Sequence, residues 1–254
     1  MTEERRVAVV TGAGQGLGQA TAVALARAGL DVALLGRTVT KLEDTAGMID
    51  CRHEIVGVDL SDGQATKAAF EQVRASLGRI DVLINNAAIY NPFRLDEGTD
   101  EQIEGMIANS LTGPVFCLRE AICHMRASGK GGDIVNVTSQ SVQMPQPFMV
   151  LYSAAKAALE TMSQGLRNEL RGEPFRITNF SVGVIRSEQE LAIWTSEEFK
   201  ERVTGAFADS GVAPFFTFPG ASVKSLAASI VHAVTAPSDI ILEQIDARGS
   251  FSAD

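Results

Sequence analysis

Cysteine is scarce in this sequence. The three present, Cys51, Cys117 and Cys123, cannot all pair and show no metal-like spacing. Cys117 and Cys123 fall within an apolar helical run and are expected as buried, reduced thiols. Positive charge is also short. Against 31 Asp and Glu there are 22 Lys and Arg, a net charge of -9, which argues against nucleic acid or an anionic membrane as the main partner. Long apolar runs are missing: none reaches the ~18 residues that a membrane helix needs. The charged start, Met1-Thr2-Glu3-Glu4-Arg5-Arg6, leads at once into a strand-like run, so no signal peptide and a cytoplasmic location are expected. Tryptophan occurs once, as Trp194. No repeat, low-complexity tract or linker interrupts the chain, and one domain over residues 1–254 is expected.

What is present alternates. Val7-Ala8-Val9-Val10 is a continuous apolar run of the kind found in a buried parallel strand. It runs into Thr11-Gly12-Ala13-Gly14-Gln15-Gly16-Leu17-Gly18 and then a helical stretch over 19–28. Glycines permit a tight turn and close approach to a phosphate, and a helix N-terminus favours an anion. Strand, loop and helix in that order point to a nucleotide rather than a plain connecting turn. A second strand, 31–35, ends at Gly36-Arg37. Folds that take NAD usually place an acid here for the adenosine ribose hydroxyls. Here there is none. Gly36 leaves room and Arg37 could pair with a 2′-phosphate, which favours NADP(H), with NAD(H) possible; a solvated arginine is the plainer alternative.

Further strands are expected at 55–60, 80–84, 134–138, 175–182 and 240–242, with helices at 63–77, 157–170 and 223–236. Asp59, beside Leu60, is either an adenine contact or a helix cap. Asn85-Asn86-Ala87-Ala88 suits a crevice-lining loop at a strand's C-terminal end, although each Asn could be a turn former. Residues 100–125 read as two helical stretches broken near Gly113-Pro114. The polar segment 188–219 is long for a connection and is expected as a substrate lid or an oligomer contact. The alternation implies an α/β fold with a doubly wound parallel sheet flanked by helices.

The chain is organised around Tyr152-Ser153-Ala154-Ala155-Lys156, just ahead of the Ala-rich helical run. Residues four apart share a helix face. A phenol titrates near pH ~10, and a neighbouring ammonium favours the phenolate. Thirteen residues before Tyr152, Ser139 ends the apolar run and could donate to a substrate oxygen. Together they would form a proton relay for a carbonyl or an alcohol. By itself the Tyr/Lys spacing is common in helices.

With these motifs in order, the chain resembles the short-chain dehydrogenase/reductase family, of Rossmann type, over nearly its whole length. Residues 11–18 look like its TGxxxGxG loop, and 85–88 like its NNAG motif with Ala88 for Gly. The resemblance makes Tyr152 the acid/base, Ser139 the group that polarises the substrate oxygen, and Lys156 the holder of the nicotinamide ribose. It implies an oxidoreductase acting on a ketone or secondary alcohol, as a homotetramer or homodimer. Cofactor contacts would come from Gly12, Gly14, Gln15, Gly16, Leu17, Gly18, Asn86, Ala87, Ala88, Gly183, Ile185 and Ser187, with Arg37, Asp59 and Leu60 at the adenosine end.

Two departures stand out. Where the family has an Asn in a motif like VNLTG, this chain reads Asn109-Ser110-Leu111-Thr112-Gly113, with Ser110 at the Asn position. Successive helical side chains point about 100° apart, so Asn109 could substitute only if the helix bulges. The family's PG after the sixth strand is replaced by Val182-Gly183-Val184-Ile185-Arg186-Ser187. These changes motivate an alternative: a dinucleotide-binding protein with a sensor or structural role. The resemblance places substrate-pocket walls at Tyr90, Phe93, Gln140, Gln143, Met144, Phe148, Trp194 and Phe215, which suits a medium-sized, partly apolar carbonyl compound.

Overall fold

The structure, a computed structural model, describes residues 5–186, 197–210 and 220–250. Among these, β1 (Val7–Thr11), β2 (Asp31–Gly36), β3 (His53–Gly57), β4 (Val82–Asn85), β5 (Gly132–Ser139), β6 (Phe175–Val182) and β9 (Gln244–Ala247) form one sheet in the order β3-β2-β1-β4-β5-β6-β9. Every pairing in it is parallel. Alternate residues of a strand point to opposite faces. Val7, Val9, Ala33, Leu35 and Leu83 thus share one core with Phe70 and Val73 of α3 (Gly63–Leu77) and Leu118 and Met125 of α5 (Gly113–Ala127). Ala8, Val10, Val32, Leu34 and Ile84 share the other with Leu25 of α1 (Gly16–Arg27) and Ile230 of α8 (Val223–Thr235). The sheet is buried on both faces, which is why its central strands read as unbroken apolar runs. Connections leave β1 toward β2 on one side and reach β4 on the other, and that reversal opens a crevice at the strands' C-terminal ends.

The opposite end of the sheet is closed by charge. Asp133, buried at the start of β5, pairs with Arg6 and with Arg176 at 2.5 Å. Arg6 also donates to Val234 O at 2.8 Å and Arg176 to Ala236 O at 2.9 Å, satisfying carbonyls at the end of α8 that have no helical partner.

Several expectations are corrected. The third strand stops at Gly57, so Asp59 lies beyond it. The last strand is Gln244–Ala247, not 240–242. Ile240 and Ile241 are exposed, and Ile240 N closes a turn on Pro237 O at 3.0 Å. No break occurs near Gly113-Pro114. α4 (Asp100–Ile107) continues through a π turn, Ala108–Thr112, into α5. A proline within a helix crowds the carbonyl four residues earlier and lacks an N–H; the widened turn absorbs both defects. Cys117 is buried, but Cys123 is exposed. The Tyr/Lys helix, α6 (Val150–Glu169), begins before Tyr152 rather than after Lys156. Of its apolar positions, Met162 and Leu166 pack against the sheet core.

Within the expected lid, residues 197–210 form α7 (Glu197–Ser210), while Trp194, Phe215 and Ser187 lie outside the described residues. Val203 and Phe207 of α7 pack against Phe148, and Arg202 pairs with Glu97. A two-residue strand, β7 (Ile185–Arg186), pairs in parallel with β8 (Ala221–Ser222), joining the places where this excursion leaves and returns. No helix among the described residues is long and apolar enough to cross a membrane.

Candidate active site

Two adjoining clefts open at the crevice. The larger, about 1530 Å³, is lined by Gly12, Gly14, Gln15, Gly16, Leu17, Gly18, Arg37, Asp59, Leu60, Asn86, Ala87, Ala88 and Ile185. All of these were expected from the sequence. Gly12 has φ +66°, a conformation that L side chains rarely adopt. A Cβ on Gly18 would stand 2.2 Å from Gly12 O, so only glycine lets α1 start this close to the loop. Gln15 at the N-cap of α1 makes no side-chain cap bond, leaving the helix's positive end available to an anion. Thr11 Oγ1 accepts from Asn86 N and Ala87 N at 2.9 Å each, which ties the Asn loop to the end of β1. Tight loop, uncapped helix end and close backbone form a cradle that fits the phosphates of a dinucleotide.

At the far end Asp59 Oδ1 accepts from Ser61 Oγ at 2.7 Å and Ser61 N at 2.9 Å. These bonds, with a smaller contribution from the Arg37 charge, hold its carboxyl below the usual range. The cap of α3 is Asp62, which accepts from Gln64 N and Ala65 N, so the helix-cap reading of Asp59 is set aside. Sequence reasoning missed Lys41, which lines the same cleft from α2 (Val39–Ala46). Its Nζ donates to Gln15 Oε1 at 2.5 Å across the glycine loop. The helix is docked there: Thr45 Oγ1 donates to Ala13 O at 2.9 Å, and buried Leu42 packs on Gly36. A cation one turn into the helix after Arg37 was the available signal.

The second cleft, about 880 Å³, is lined by Ser139, Tyr152 and Lys156 together with Gly183 and Ile185. Ser139 ends β5, and α6 lays its Tyr/Lys face beside it. Lys156 Nζ lies 5.8 Å from the centre of the Tyr152 ring and donates to Val137 O at 2.8 Å. Its side chain is buried, and burial pushes the ammonium down to about 8. Tyr90 meets Tyr152 edge to face, with ring centres 5.5 Å apart. Ser139 Oγ accepts from Ser141 N at 3.2 Å. Of the expected substrate walls, Tyr90, Gln140 and Met144 line this cleft. Phe93, Gln143 and Phe148 are not among its lining residues; Phe148 is buried against α7. Ser141, Gln146 and Met149 line it and were missed.

The π turn separates the two residues in question at the Asn position. Ser110 is fully buried, with Oγ 3.4 Å from both the N and the O of Ile89. Asn109 lines the larger cleft, and its Nδ2 donates back to Gly105 O at 2.8 Å. Gly183 N is taken by Ala247 O at 2.9 Å.

Sheet order, glycine cradle and crevice define a doubly wound α/β protein of Rossmann type. The chain belongs to the short-chain dehydrogenase/reductase family: the family model described as short chain dehydrogenase matches residues 6–198. It is 33% identical over 184 residues to an uncharacterised oxidoreductase of Staphylococcus saprophyticus, covering 71% of this chain and 78% of that one. To the galactitol 2-dehydrogenase of Agrobacterium fabrum it is 29% identical over 250 residues, 96% of each chain. A metagenomic short-chain oxidoreductase solved in complex with NADP superposes with a TM-score of 0.78 at 26% identity, over 97% of each chain.

Proposed function

We propose that this protein is an NAD(P)-dependent oxidoreductase that interconverts a ketone and a secondary alcohol, with NADP(H) favoured. The observation that carries the reading is the wall of Ser139, Tyr152 and buried Lys156, opening where the phosphate cradle ends, at Leu17, Asn86 and Ile185. Tyr152 gives its phenolic proton to the carbonyl oxygen in reduction and takes one from the alcohol in oxidation. The Lys156 ammonium favours the phenolate and would hold the nicotinamide ribose of the dinucleotide. Ser139 donates to the same substrate oxygen. The bound dinucleotide supplies or accepts the hydride; the chain supplies position and proton. Ser110 steadies the backbone at Ile89, and Asn109 lines the cleft that would hold the dinucleotide.

The NADP preference is supported by Arg37 and Lys41 beside a strand end that carries Gly36 instead of an acid. Solved neighbours carry NADP in one case and NAD in another, so the preference rests on the two cations. One relative is named for an alcohol, galactitol, which supports an alcohol substrate. The same reading takes residues 1–254 as one domain, with 188–219 as the lid; α7 packing on Phe148, next to cleft-lining Met149, supports that. The protein acts in the cytoplasm as a homodimer or homotetramer on a small molecule, without nucleic acid or membrane. Exposed Ile107 and Val150 are apolar residues that an assembly would cover.

The test follows consumption of NADPH or NADH with ketones, diketones and quinones, using Tyr152→Phe as control. Turnover that disappears in Tyr152→Phe is expected. Tight dinucleotide binding with no turnover of any carbonyl compound would favour the sensor reading instead.

A further inference from the structure

The chain enters α6 through a turn that is unusual for the residues it contains. Met149 N donates to Gln146 O at 3.1 Å, closing a four-residue turn with Pro147 and Phe148 in the middle. Proline suits the second place of such a turn. The third place has φ +67°, where glycine or asparagine is usual. Phe148 fills it, and no other non-glycine among the described residues has a positive φ. A bulky residue is strained there and persists only where its surroundings hold it. Three contacts do so. The ring is buried against Val203 and Phe207 of α7, and the Arg202 guanidinium lies 5.9 Å from its centre. The Phe148 carbonyl accepts from Phe93 N at 3.0 Å, in the loop that follows β4.

The turn meets that loop at a second point. Tyr90 Oη donates to Sδ of Met149, the residue directly after Phe148, at 3.4 Å. Tyr90 in turn stands edge to face with Tyr152. Arg202 also pairs with Glu97, so α7 grips the turn and the loop together. Neither Phe148 nor Phe207 lines either cleft.

We propose that Phe148 is a positioning residue: its strained turn carries the docking of α7 through Met149 and Tyr90 to the Tyr152 ring. The inference rests on the reading of Tyr152 as the acid/base and adds a residue that acts through it. α7 supplies the surface that holds the ring, the turn fixes Met149, and Tyr90 limits where the Tyr152 phenol sits. Without the anchor, nothing keeps Phe148 in the left-handed region. The turn then relaxes, Tyr90 loses its hold, and the phenol sits less often beside the Lys156 ammonium that favours its ionised form.

Tyrosine occurs twice in the chain, as Tyr90 and Tyr152, so the ultraviolet absorbance of phenolate follows these two groups alone. Phe207→Ala removes the anchor from α7, and Phe148→Gly removes the ring and the strain together. The experiment titrates the phenolate in the native chain, both variants and the double variant, with Tyr152→Phe identifying the Tyr152 step. The same proteins are assayed by oxidation of cyclohexanol with NADP+. The Tyr152 step is expected to move up by about half a pH unit in each single variant, and no further in the double. kcat is expected to fall about tenfold, with KM for cyclohexanol within about twofold. Phe207→Leu keeps apolar bulk and is expected to keep the native step and turnover. Thermal melts confirm that each variant is folded. A loss of stability or turnover in which the step stays in place overturns the proposal, and so do shifts that add in the double variant. A native chain inactive toward every alcohol and ketone overturns the acid/base reading, and the proposal with it. Because the titration needs no substrate, the two failures are told apart.

Discussion

The Ser110 hydroxyl touches both backbone groups of Ile89, N and O each at 3.4 Å, across the gap between the π turn and the loop that follows β4. Ser110 thereby holds a stretch of chain that lines the dinucleotide cleft at Ala88, Ile89 and Tyr90. Asn109, one residue earlier, has its amide bonded within its own helix. Ser110→Ala should lose more than Asn109→Ala. We expect about a tenfold fall in kcat/KM and a stability loss of about 1 kcal/mol for Ser110→Ala, read by kinetics and urea unfolding. Equal effects of the two substitutions would remove the distinction.

The burial of Lys156 comes at a cost in stability. Its ammonium titrates at about 8 in the folded chain, against 10.5 ordinarily, because it is buried. A depressed amine pKa means that the unfolded chain binds the proton more tightly. The penalty is therefore full below about pH 8 and fades as the pH rises toward 10.5. Lys156→Met should raise unfolding free energy at pH 7 by on the order of 1–3 kcal/mol, less what is lost with the Val137 bond. The gain should shrink toward pH 10.5, while turnover drops at least 100-fold. Denaturant titrations across that range check it, and a gain that does not vary with pH would contradict it.

Arg37 and Lys41 should act on the same phosphate. Lys41→Gln is expected to weaken NADPH binding about tenfold and NADH binding less than twofold, a difference of about 1 kcal/mol. Raising salt should narrow the gap between native and variant chains, because both cations are exposed. Fluorescence titration with the two reduced dinucleotides measures this directly. Equal loss for both would make Lys41 a general support of the glycine loop.

Removing the Asp133 carboxylate leaves Arg6 and Arg176 facing each other with nothing between them. Asp133→Ala should cost about 2–4 kcal/mol. The site lies at the other end of the strands, so activity per folded molecule should stay within twofold. A melt combined with active-site titration separates the two effects.

Much of this architecture was legible in the residues. β1, β2 and β4 are buried on both faces, so they are written as continuous apolar runs, and the glycine loop needs glycine for space and, at Gly12, for a positive φ. Ser139, Tyr152 and Lys156 were legible because strand end and helix face fix their relation. The last strand was not. β9 lies at the sheet edge and alternates exposed and half-buried residues, while the more apolar 240–242 stretch lies in an exposed turn. Lys41 was missed because its meaning depends on docking of α2 against a loop 26 residues away in sequence.

The small pairing of β7 with β8 has an evolutionary reading. Ile185 and Arg186 pair with Ala221 and Ser222, so the chain on either side of residues 187–220 is held at one place. A segment rooted this way can be exchanged, lengthened or redesigned while the distance between its ends stays the same. The phosphate cradle and the Ser/Tyr/Lys wall would not register the change. New substrates could then be acquired by grafting one stretch of chain, with the walls of both clefts inherited intact.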